Sequence, residues 1–349
     1  MRSNYLTEDL KRLAKYLHDN GFGGHTFLIT GATGLIGSLC TKMIIEYNNI
    51  YPIPIQVIAF ARNEEKVYKV FEDELEGKKD INYVQFVYQD ITKPISPDIE
   101  CDYIIHTANS TSSQYFIKHP VEVIESIYTG TKQILDYGVK RNVESIVYLS
   151  SMEVFGKIKT SKKLSEKDLG DLDIQNIRSC YSEGKRLAEL LCMSYAFEYN
   201  LPVRVARLAQ TFGAGILKTE SRVFAQFAKS VIKGEDILLH TDGQSIGNYC
   251  YTADTIRAIL LLLMRGNDGE VYTVVNEETT RSIADMAKMV IDKFSDGKSQ
   301  LIFDIPEGNI FGYAPATKMR LSSKKLRQLG WKPEIPLEEM YKRMIPDLL

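Results

Sequence analysis

The sequence predicts an α/β fold in which a doubly wound parallel sheet is followed by a smaller, interleaved C-terminal α/β region. Strand-like and helix-like segments alternate from residue 26 to about residue 208, which is typical of a parallel sheet with helices on both faces. A glycine-rich turn directly follows the first strand-like segment. After residue 208 the regular alternation ends, and helices are joined by short strands.

The strand candidates are short runs rich in apolar, β-branched and aromatic residues. They span residues 26–30, 55–60, 83–88, 102–106, 145–149 and 202–207. Helical periodicity, with apolar residues three and four apart, falls between and after these strands. It covers residues 35–47, 120–138, 181–199, 220–232, 253–265 and 282–294. A further amphipathic helix is expected over residues 7–19, with Thr7 as its N-cap.

The composition is that of a globular protein and excludes several classes of function. Of 349 residues, 44% are hydrophobic and 25% are charged, and the net charge of −2 includes no basic stripe for nucleic acid. No apolar run reaches the roughly 18 residues of a membrane span. The N-terminus lacks the apolar core of a signal peptide. The five cysteines are scattered without zinc-type spacing, so we expect reduced thiols, no metal and a cytoplasmic location.

Three glycines in the stretch GATGLIG are spaced three residues apart, at Gly31, Gly34 and Gly37. In a strand–turn–helix context the first glycine permits a tight turn, and the second lets the backbone approach a pyrophosphate. The third allows the helix to pack closely on the strand, and helix N-terminal amides then face the anion. The alternative is a close-packed corner without a ligand, because glycine motifs alone are weak signals.

Tyr181 and Lys185 lie four residues apart in YSEGK, on one face of a predicted helix. A nearby ammonium stabilises a phenolate, so we expect the lysine to lower the tyrosine pKa and to tune it for proton transfer. Ser151, at the end of the strand in SIVYLSSMEVFG, is positioned to hydrogen-bond the same substrate oxygen. Most tyrosine–lysine pairs at this spacing are surface neighbours. The order of glycine turn, serine-bearing strand end and helix favours a catalytic set here.

Several stretches together resemble the extended short-chain dehydrogenase/reductases of the NAD-dependent epimerase/dehydratase family. They are GATGLIG, DYIIHTAN, VYLSSMEVFG, YSEGK, PVRVARLAQTFGAG, YCYTADTIRAI and LRQLGWKP. The resemblance implies a nucleotide-sugar substrate, an NAD(P) cofactor, and Ser151, Tyr181 and Lys185 as the catalytic triad. It also implies a homodimer formed through the helices over 120–138 and 181–199, with neither nucleic acid nor membrane as a partner.

The resemblance divides the chain into three parts. Residues 1–24 are expected to form an N-terminal helical extension, and residues 25–208 an NAD(P)-binding Rossmann domain. Residues 209–349 are expected to be mainly substrate-binding, with some segments returning to the Rossmann sheet.

The resemblance also implies which residues bind the cofactor. They are Gly31, Thr33, Gly34, Leu35, Ile36, Arg62, Asp90, Ile91, Thr107, Ala108, Tyr181 and Lys185. Arg62, after the second strand, suits a 2′-phosphate and slightly favours NADP over NAD. The alternative is a solvated arginine, and Glu64 and Glu65 weaken the local positive field. For Asp90, a role as an ordinary turn residue is an equally good alternative to cofactor binding.

Family members begin by oxidising a sugar carbon, usually C4, and differ in the next step. The stretch Ser151-Met152-Glu153 disfavours 4,6-dehydration, because methionine cannot act as an acid. Glu153 is a further catalytic candidate, and the alternative is that it stabilises the turn. RSCYSEGKRLAE and RLAQTFGAG resemble decarboxylase-like and epimerase-like enzymes of bacterial surface-polysaccharide clusters. We therefore expect a nucleotide-sugar epimerase or ketoreductase. The alternatives are a decarboxylase or dehydratase of the same family, and a non-catalytic NAD(P)-binding protein.

The expected substrate-binding residues are Asn109, Ser151, Gln210, Arg222 and Lys318. At three positions the chain departs from the family pattern. Gln210 replaces an asparagine, Gly247 replaces an arginine that grips the substrate diphosphate, and Ile127 replaces an asparagine. Loss of the arginine removes a charge-assisted contact, for which Arg222 and Lys318 are expected to compensate.

Overall fold

The computed structural model describes residues 3–76, 81–109, 111–158, 160, 162–307 and 318–349. The strands in chain order are β1 (Thr26–Thr30), β2 (Gln56–Ala61), β3 (Val84–Tyr88), β4 (Tyr103–His106), β5 (Ser145–Ser151), β6 (Val203–Leu208), β7 (Gln210–Phe212), β8 (Ile237–Leu239), β9 (Ile246–Tyr251), β10 (Glu270–Val274), β11 (Asn276–Ser282) and β12 (Leu301–Phe303).

The helices are α1 (Asn4–Asp19), α2 (Leu35–Ile50), α3 (Glu64–Val70), α4 (Glu72–Glu76), α5 (Ser113–Lys118), α6 (Pro120–Arg141), α7 (Ser179–Tyr199), α8 (Val223–Lys233), α9 (Thr252–Arg265), α10 (Ile283–Phe294), α11 (Lys324–Gln328) and α12 (Leu337–Leu348). A 3₁₀ turn over Met152–Phe155 follows β5. In the part of the chain that is described, no helix is long and apolar enough to cross a membrane.

A seven-stranded sheet in the order β10-β6-β5-β4-β1-β2-β3 forms the centre of the molecule, and every neighbouring pair in it is parallel. The predicted α/β class with a parallel sheet is confirmed. Each of the six predicted strands of the sheet is present within one or two residues of its expected ends. The seventh strand, β10, comes from the C-terminal part of the chain and pairs with β6.

Side chains of the sheet alternate between two hydrophobic layers, as the two-residue period of a strand requires. Ile29 and Val147 face the layer that contains α2 and α9, whereas Leu28 and Ile146 face the layer that contains α6 and α7. Both faces are covered, which explains why the strands are almost continuously apolar.

Helix α1 belongs to the first of these layers through the buried face of Leu10, Leu13 and Leu17. The prediction of Thr7 as its N-cap is wrong. The helix begins three residues earlier, and Ser3 caps it by accepting a hydrogen bond from the Leu6 amide at 3.1 Å. The Thr7 hydroxyl instead donates to the Ser3 carbonyl. Ser3 outcompetes Thr7 because apolar packing extends to Leu6, one residue before the predicted start.

Two smaller sheets carry the C-terminal part of the chain. In one, β9 lies between β7, to which it is parallel, and β11, to which it is antiparallel. In the other, β12 pairs with β8 in parallel. Because β7 begins two residues after β6 ends, the three-stranded sheet starts at the carboxyl edge of the central sheet. Ligands of open α/β sheets bind at that edge.

Candidate active site

The glycine turn between β1 and α2 is a close-packed corner. Gly31 has a φ of +65°, a left-handed conformation that favours glycine. A Cβ at Gly31 would lie 2.7 Å from Thr107 Oγ1 and 2.9 Å from Ala108 Cα. A Cβ at Gly37 would collide with the Gly31 carbonyl. The turn following β1 and the segment following β4 are therefore in direct contact, which brings three predicted cofactor residues together.

The start of α2 suits a phosphate. Gly34 is its N-cap and makes no side-chain hydrogen bond, and the first turn, which contains Leu35 and Ile36, carries no acidic residue. Thr33 precedes the cap in the same turn. Backbone amides at an uncapped helix N-terminus are donors that an anion satisfies, and the helix dipole favours negative charge there. These residues therefore fit the pyrophosphate of a dinucleotide.

A buried hydrogen-bond network holds the segment after β4 against β1. Thr30 Oγ1 accepts from the amides of Thr107, at 3.0 Å, and Ala108, at 3.1 Å. Its own proton is therefore directed to His106 Nδ1, which lies 2.7 Å away. Burial lowers the pKa of His106 to about 3, so the ring is neutral and Nε2 is left to donate to Thr131 Oγ1.

Arg62 and Asp90 follow β2 and β3, at the same edge of the sheet, and both are exposed. The Thr92 amide, which donates to the Asp90 carboxylate at 2.9 Å, holds the pKa of Asp90 below its usual value, and the charge of Arg62 acts in the same direction. Ile91 is buried, and its side chain packs so closely on α6 that a Cβ at Gly130 would lie 2.8 Å from its Cγ2. The side chain of Ile91 thus serves packing.

Ser151, Tyr181 and Lys185 meet at the carboxyl end of β5. Tyr181 is buried in the first turn of α7, and its ring stacks on Phe116 with centroids 4.4 Å apart. Burial raises the pKa of Tyr181 above its ordinary value, and the Glu153 carboxylate raises it further. The nearby Ser151 hydroxyl opposes this effect and lowers the pKa, as does the positive charge of Arg222.

Lys185 lies beside Tyr181 but makes its hydrogen bond to the strand. Lys185 Nζ donates to the Leu149 carbonyl at 2.7 Å and lies 5.9 Å from the centroid of the Tyr181 ring. Burial lowers the pKa of Lys185 to about 7. The side chain therefore makes its hydrogen bond at the strand, and an ammonium this strongly desolvated is readily deprotonated.

Glu153 is held by Arg178, a residue that the sequence analysis did not select. Arg178 Nη1 donates to one carboxylate oxygen at 2.8 Å and Nη2 donates to the other at 3.2 Å. The Ser182 hydroxyl donates to the first of these oxygens at 3.2 Å. The guanidinium also lies over Phe116, the ring that stacks on Tyr181. The only sequence signal was the position of Arg178, three residues before the tyrosine in RSCYSEGK.

Asn109 and Gln210 contribute polar atoms that lack partners. Both amide atoms of Asn109 and the Oε1 atom of Gln210 are buried without a hydrogen bond to the described residues. A buried amide without a partner costs stability, so such atoms are expected where a ligand supplies the missing bonds.

Arg222 and Lys318, the two basic residues expected to bind substrate, lie in different surroundings. Arg222 is the N-cap of α8, pairs with Glu220 at 2.6 Å, and is close enough to lower the pKa of Tyr181. Lys318 is exposed at the start of the last described segment and forms no hydrogen bond or ion pair with described residues. The structure therefore links Arg222, but not Lys318, to the catalytic group.

Two departures from the family pattern have packing causes. Ile127 on α6 faces Gly184 on α7, where an added Cβ would lie 3.1 Å from Ile127 Cδ1. At Gly247 an added Cβ would collide with the hydroxyl and ring of Tyr249, two residues along β9. The side chain of Tyr249 thus occupies the space that a residue other than glycine would need at position 247.

In the described ranges, no group of three or more His, Cys, Asp or Glu side chains is arranged to hold a metal ion. The candidate site consists of the glycine turn, the serine–tyrosine–lysine group, the Glu153–Arg178 pair and the unpartnered amides, which follow strands at the carboxyl edge of the central sheet.

Known proteins resemble this chain over most of its length. The chain is 28% identical over 316 residues to UDP-glucuronic acid decarboxylase 3 of Arabidopsis thaliana. The aligned region covers 89% of this chain and 85% of that protein. The chain is also 26% identical over 313 residues to UDP-glucuronic acid decarboxylase 1 of Xenopus tropicalis, covering 89% of this chain and 69% of that protein.

Solved structures share the fold. UDP-glucose 4-epimerase of Thermotoga maritima, determined with UDP-glucose, superposes with a TM-score of 0.74 at 20% identity over 92% of this chain and 98% of that one. dTDP-glucose 4,6-dehydratase of Bacillus anthracis, in complex with NAD, gives a TM-score of 0.73 at 18% identity over 93% and 96%. The model of the NAD dependent epimerase/dehydratase family matches residues 27–276. The chain therefore belongs to the NAD-dependent epimerase/dehydratase family, among the extended short-chain dehydrogenases/reductases.

Proposed function

We propose that this protein is an NAD(P)-dependent enzyme that acts on a nucleotide sugar as an epimerase or a ketoreductase. By resemblance to the family, the sugar carbon that it oxidises or reduces is C4. The observation that carries the proposal is the buried Tyr181 phenol, which lies close to Ser151 and Lys185 at the sheet edge that also holds the glycine turn. The unpartnered atoms of Asn109 and Gln210 support a polar substrate such as a sugar.

In this proposal Tyr181 takes the proton of the sugar hydroxyl during oxidation and returns it during reduction. Ser151 bonds the same oxygen and orients it, and the buried surroundings exclude water from the proton transfer. The bound dinucleotide supplies the hydride acceptor and donor. The amides at the start of α2 would bind its pyrophosphate, and the Thr107 and Ala108 amides hold the segment after β4 against Thr30.

Decarboxylation of a sugar uronic acid is a second candidate. The named relatives from Arabidopsis thaliana and Xenopus tropicalis are UDP-glucuronic acid decarboxylases, and Glu153 stands beside Ser151. Incubation with UDP-glucuronate distinguishes the candidates, because decarboxylation releases CO₂ and leaves a pentose, whereas epimerisation preserves the mass. NMR and mass spectrometry of the products measure both outcomes.

Replacement of Tyr181 by phenylalanine tests the central claim. Loss of the phenol oxygen removes the acid–base group, so we expect Tyr181→Phe to lower kcat by about 10²- to 10⁴-fold. Cofactor affinity is expected to change little. The matched variant Tyr16→Phe, which removes a phenol oxygen from α1, should retain full activity. Wild-type turnover in Tyr181→Phe would refute the assignment.

The Glu153–Arg178 pair is expected to influence the pH dependence of kcat/KM. The carboxylate raises the pKa of Tyr181 and the guanidinium lowers it. Because oxidation needs the deprotonated phenol, the rate rises with pH through this pKa. Glu153→Gln should therefore move the rising limb of kcat/KM to lower pH, and Arg178→Gln should move it to higher pH.

Opposite shifts distinguish this electrostatic role from a purely structural one. If the pair only stabilises the turn after β5, both variants should lose activity without moving the limb, or should move it in one direction. Lys140→Gln, at an exposed position on α6, controls for the general effect of removing a surface charge.

We further propose that the cofactor preference leans towards NADP through Arg62. The exposed guanidinium of Arg62, after β2, lowers the pKa of Asp90, after β3. A 2′-phosphate would add a charge-assisted contact with this guanidinium. Arg62→Ala should weaken NADP binding about tenfold and leave NAD binding nearly unchanged. Lys66→Ala, on the exposed face of α3, is the matched control. Equal losses for both cofactors, measured by titration, would contradict the preference.

A second copy of the chain is proposed to cover an exposed apolar face of α6 and α7. This face exposes large side chains that would otherwise contact water. They are Val121, Ile124, Tyr128, Leu187, Leu190 and Phe197. Leu190→Glu should convert a dimer to a monomer in analytical ultracentrifugation. Leu238→Glu should not, because Leu238 is an exposed leucine on β8, outside this face. A monomeric wild-type protein would refute this proposal.

A further inference from the structure

Two consecutive residues of β5 contact the ammonium group of Lys185. Its Nζ atom donates to the Leu149 carbonyl at 2.7 Å and lies over the ring of Tyr148, 4.6 Å from the ring centroid. Both side chains are buried, with Lys185 2% exposed and Tyr148 1% exposed. The face of an aromatic ring carries partial negative charge and attracts an ammonium within about 6 Å, most strongly where water is excluded. The Tyr148 ring is therefore placed to stabilise the charge of Lys185.

The carboxylate that acts on Lys185 is already bound by other groups. Glu189, one helical turn further along α7, raises the pKa of Lys185. Its oxygens accept hydrogen bonds from Arg207, through Nε and Nη2, and from the Ser150 hydroxyl. The guanidinium thus neutralises much of this negative charge. The effect of burial is larger, and it lowers the pKa of Lys185 to about 7. Near this value, a modest attraction decides whether the side chain is charged at neutral pH.

The other titratable groups that face Lys185 from β4, β5 and α7 in the described chain are uncharged at neutral pH. Burial and the charge of Lys185 itself keep His106 on β4 neutral, with its ring centroid 5.4 Å from that of Tyr148. Burial also raises the pKa of three acidic groups above their ordinary values. They are Tyr148, Tyr181 and Cys192. The attraction for the ammonium therefore comes from Glu189, the Leu149 carbonyl and the face of the Tyr148 ring.

We propose that the ring of Tyr148 holds Lys185 in its charged form, which makes Tyr148 a positioning residue for proton transfer by Tyr181. This inference rests on the proposed function. A charged Lys185, with Nζ 5.9 Å from the centroid of the Tyr181 ring, favours the phenolate that accepts the proton of the sugar hydroxyl. A neutral Lys185 would not favour it. Tyr148 thus acts on the reaction through Lys185, from a position three residues before Ser151 on the same strand.

The charge of Lys185 can be measured in the full-length protein without a substrate. The ¹³C NMR shift of lysine Cε is followed through a pH titration, and the Lys185 signal is assigned by its loss in Lys185→Arg. We expect Tyr148→Met to lower the pKa of Lys185 by about one unit, and Tyr148→Phe, which keeps the ring, to leave it nearly unchanged. Tyr341→Met, which removes a buried ring from the layer that contains α2 and α9, should titrate as the wild type does.

Fluorination separates the charge of the ring face from its packing. A trifluorinated phenylalanine at position 148 keeps the shape of the ring but withdraws negative charge from its face. The pKa of Lys185 should therefore fall in this variant as it does in Tyr148→Met. Thermal unfolding shows whether each variant is folded, and the fluorinated variant decides the question if Tyr148→Met does not fold. A pKa of Lys185 that stays unchanged or rises in the fluorinated variant overturns the inference.

Turnover separates this inference from the proposed function. If the pKa of Lys185 falls from about 7 to about 6, its charged fraction at pH 7 falls from about one half to about one tenth. We therefore expect kcat at pH 7 to fall about fivefold in Tyr148→Met and to recover in Tyr148→Phe. If a nucleotide sugar reacts but neither kcat nor the pKa of Lys185 responds to Tyr148→Met, the inference fails and the proposed function stands. If the pKa of Lys185 depends on the ring but no nucleotide sugar reacts, the effect of Tyr148 on Lys185 stands and the proposed reaction fails.

Discussion

A buried ion pair between Arg207 and Glu189 is the interaction on which the geometry of the candidate active site depends. Arg207 on β6 donates to Glu189 on α7 through Nε at 3.0 Å and Nη2 at 2.7 Å, and the Ser150 hydroxyl donates to the same carboxylate at 2.5 Å. The two side chains of the pair are only 4% and 7% exposed. Removal of one partner would leave an uncompensated buried charge, at a cost of about 3–5 kcal/mol.

This cluster joins β5, β6 and α7 beside the proposed catalytic residues. Ser150 directly precedes Ser151, and Glu189 lies one helical turn after Lys185. If α7 moved along the sheet, Tyr181 would separate from Ser151, because their proximity depends on the depth at which α7 packs against the sheet. The ion pair fixes that depth. Gly184 contributes from the other side of the helix by allowing close contact with Ile127 on α6.

Burial sets the electrostatics of the site more strongly than any single pair of charges. It raises the pKa of Tyr181, lowers that of Lys185 to about 7 and lowers that of His106 to about 3. In such surroundings a charge a few ångströms away has a large effect, since solvent screens it weakly. The effects of Glu153 and Arg178 must therefore be considered together, because Glu153 raises the pKa of Tyr181 and Arg178 lowers it.

The sequence by itself determined the features that depend on local spacing. The glycine turn, the central strands and the four-residue separation of Tyr181 and Lys185 follow from periods of two and 3.6 residues, which do not require knowledge of distant contacts. Only the tertiary structure decided which residues meet across the chain. It paired Arg178 with Glu153, brought β10 to the edge of the sheet beside β6, and set Arg281 opposite Gly247. It also directed Lys185 to the Leu149 carbonyl. These outcomes depend on strand register and on the depth of burial, which arise from packing between segments far apart in sequence and leave no periodic signal in any one of them.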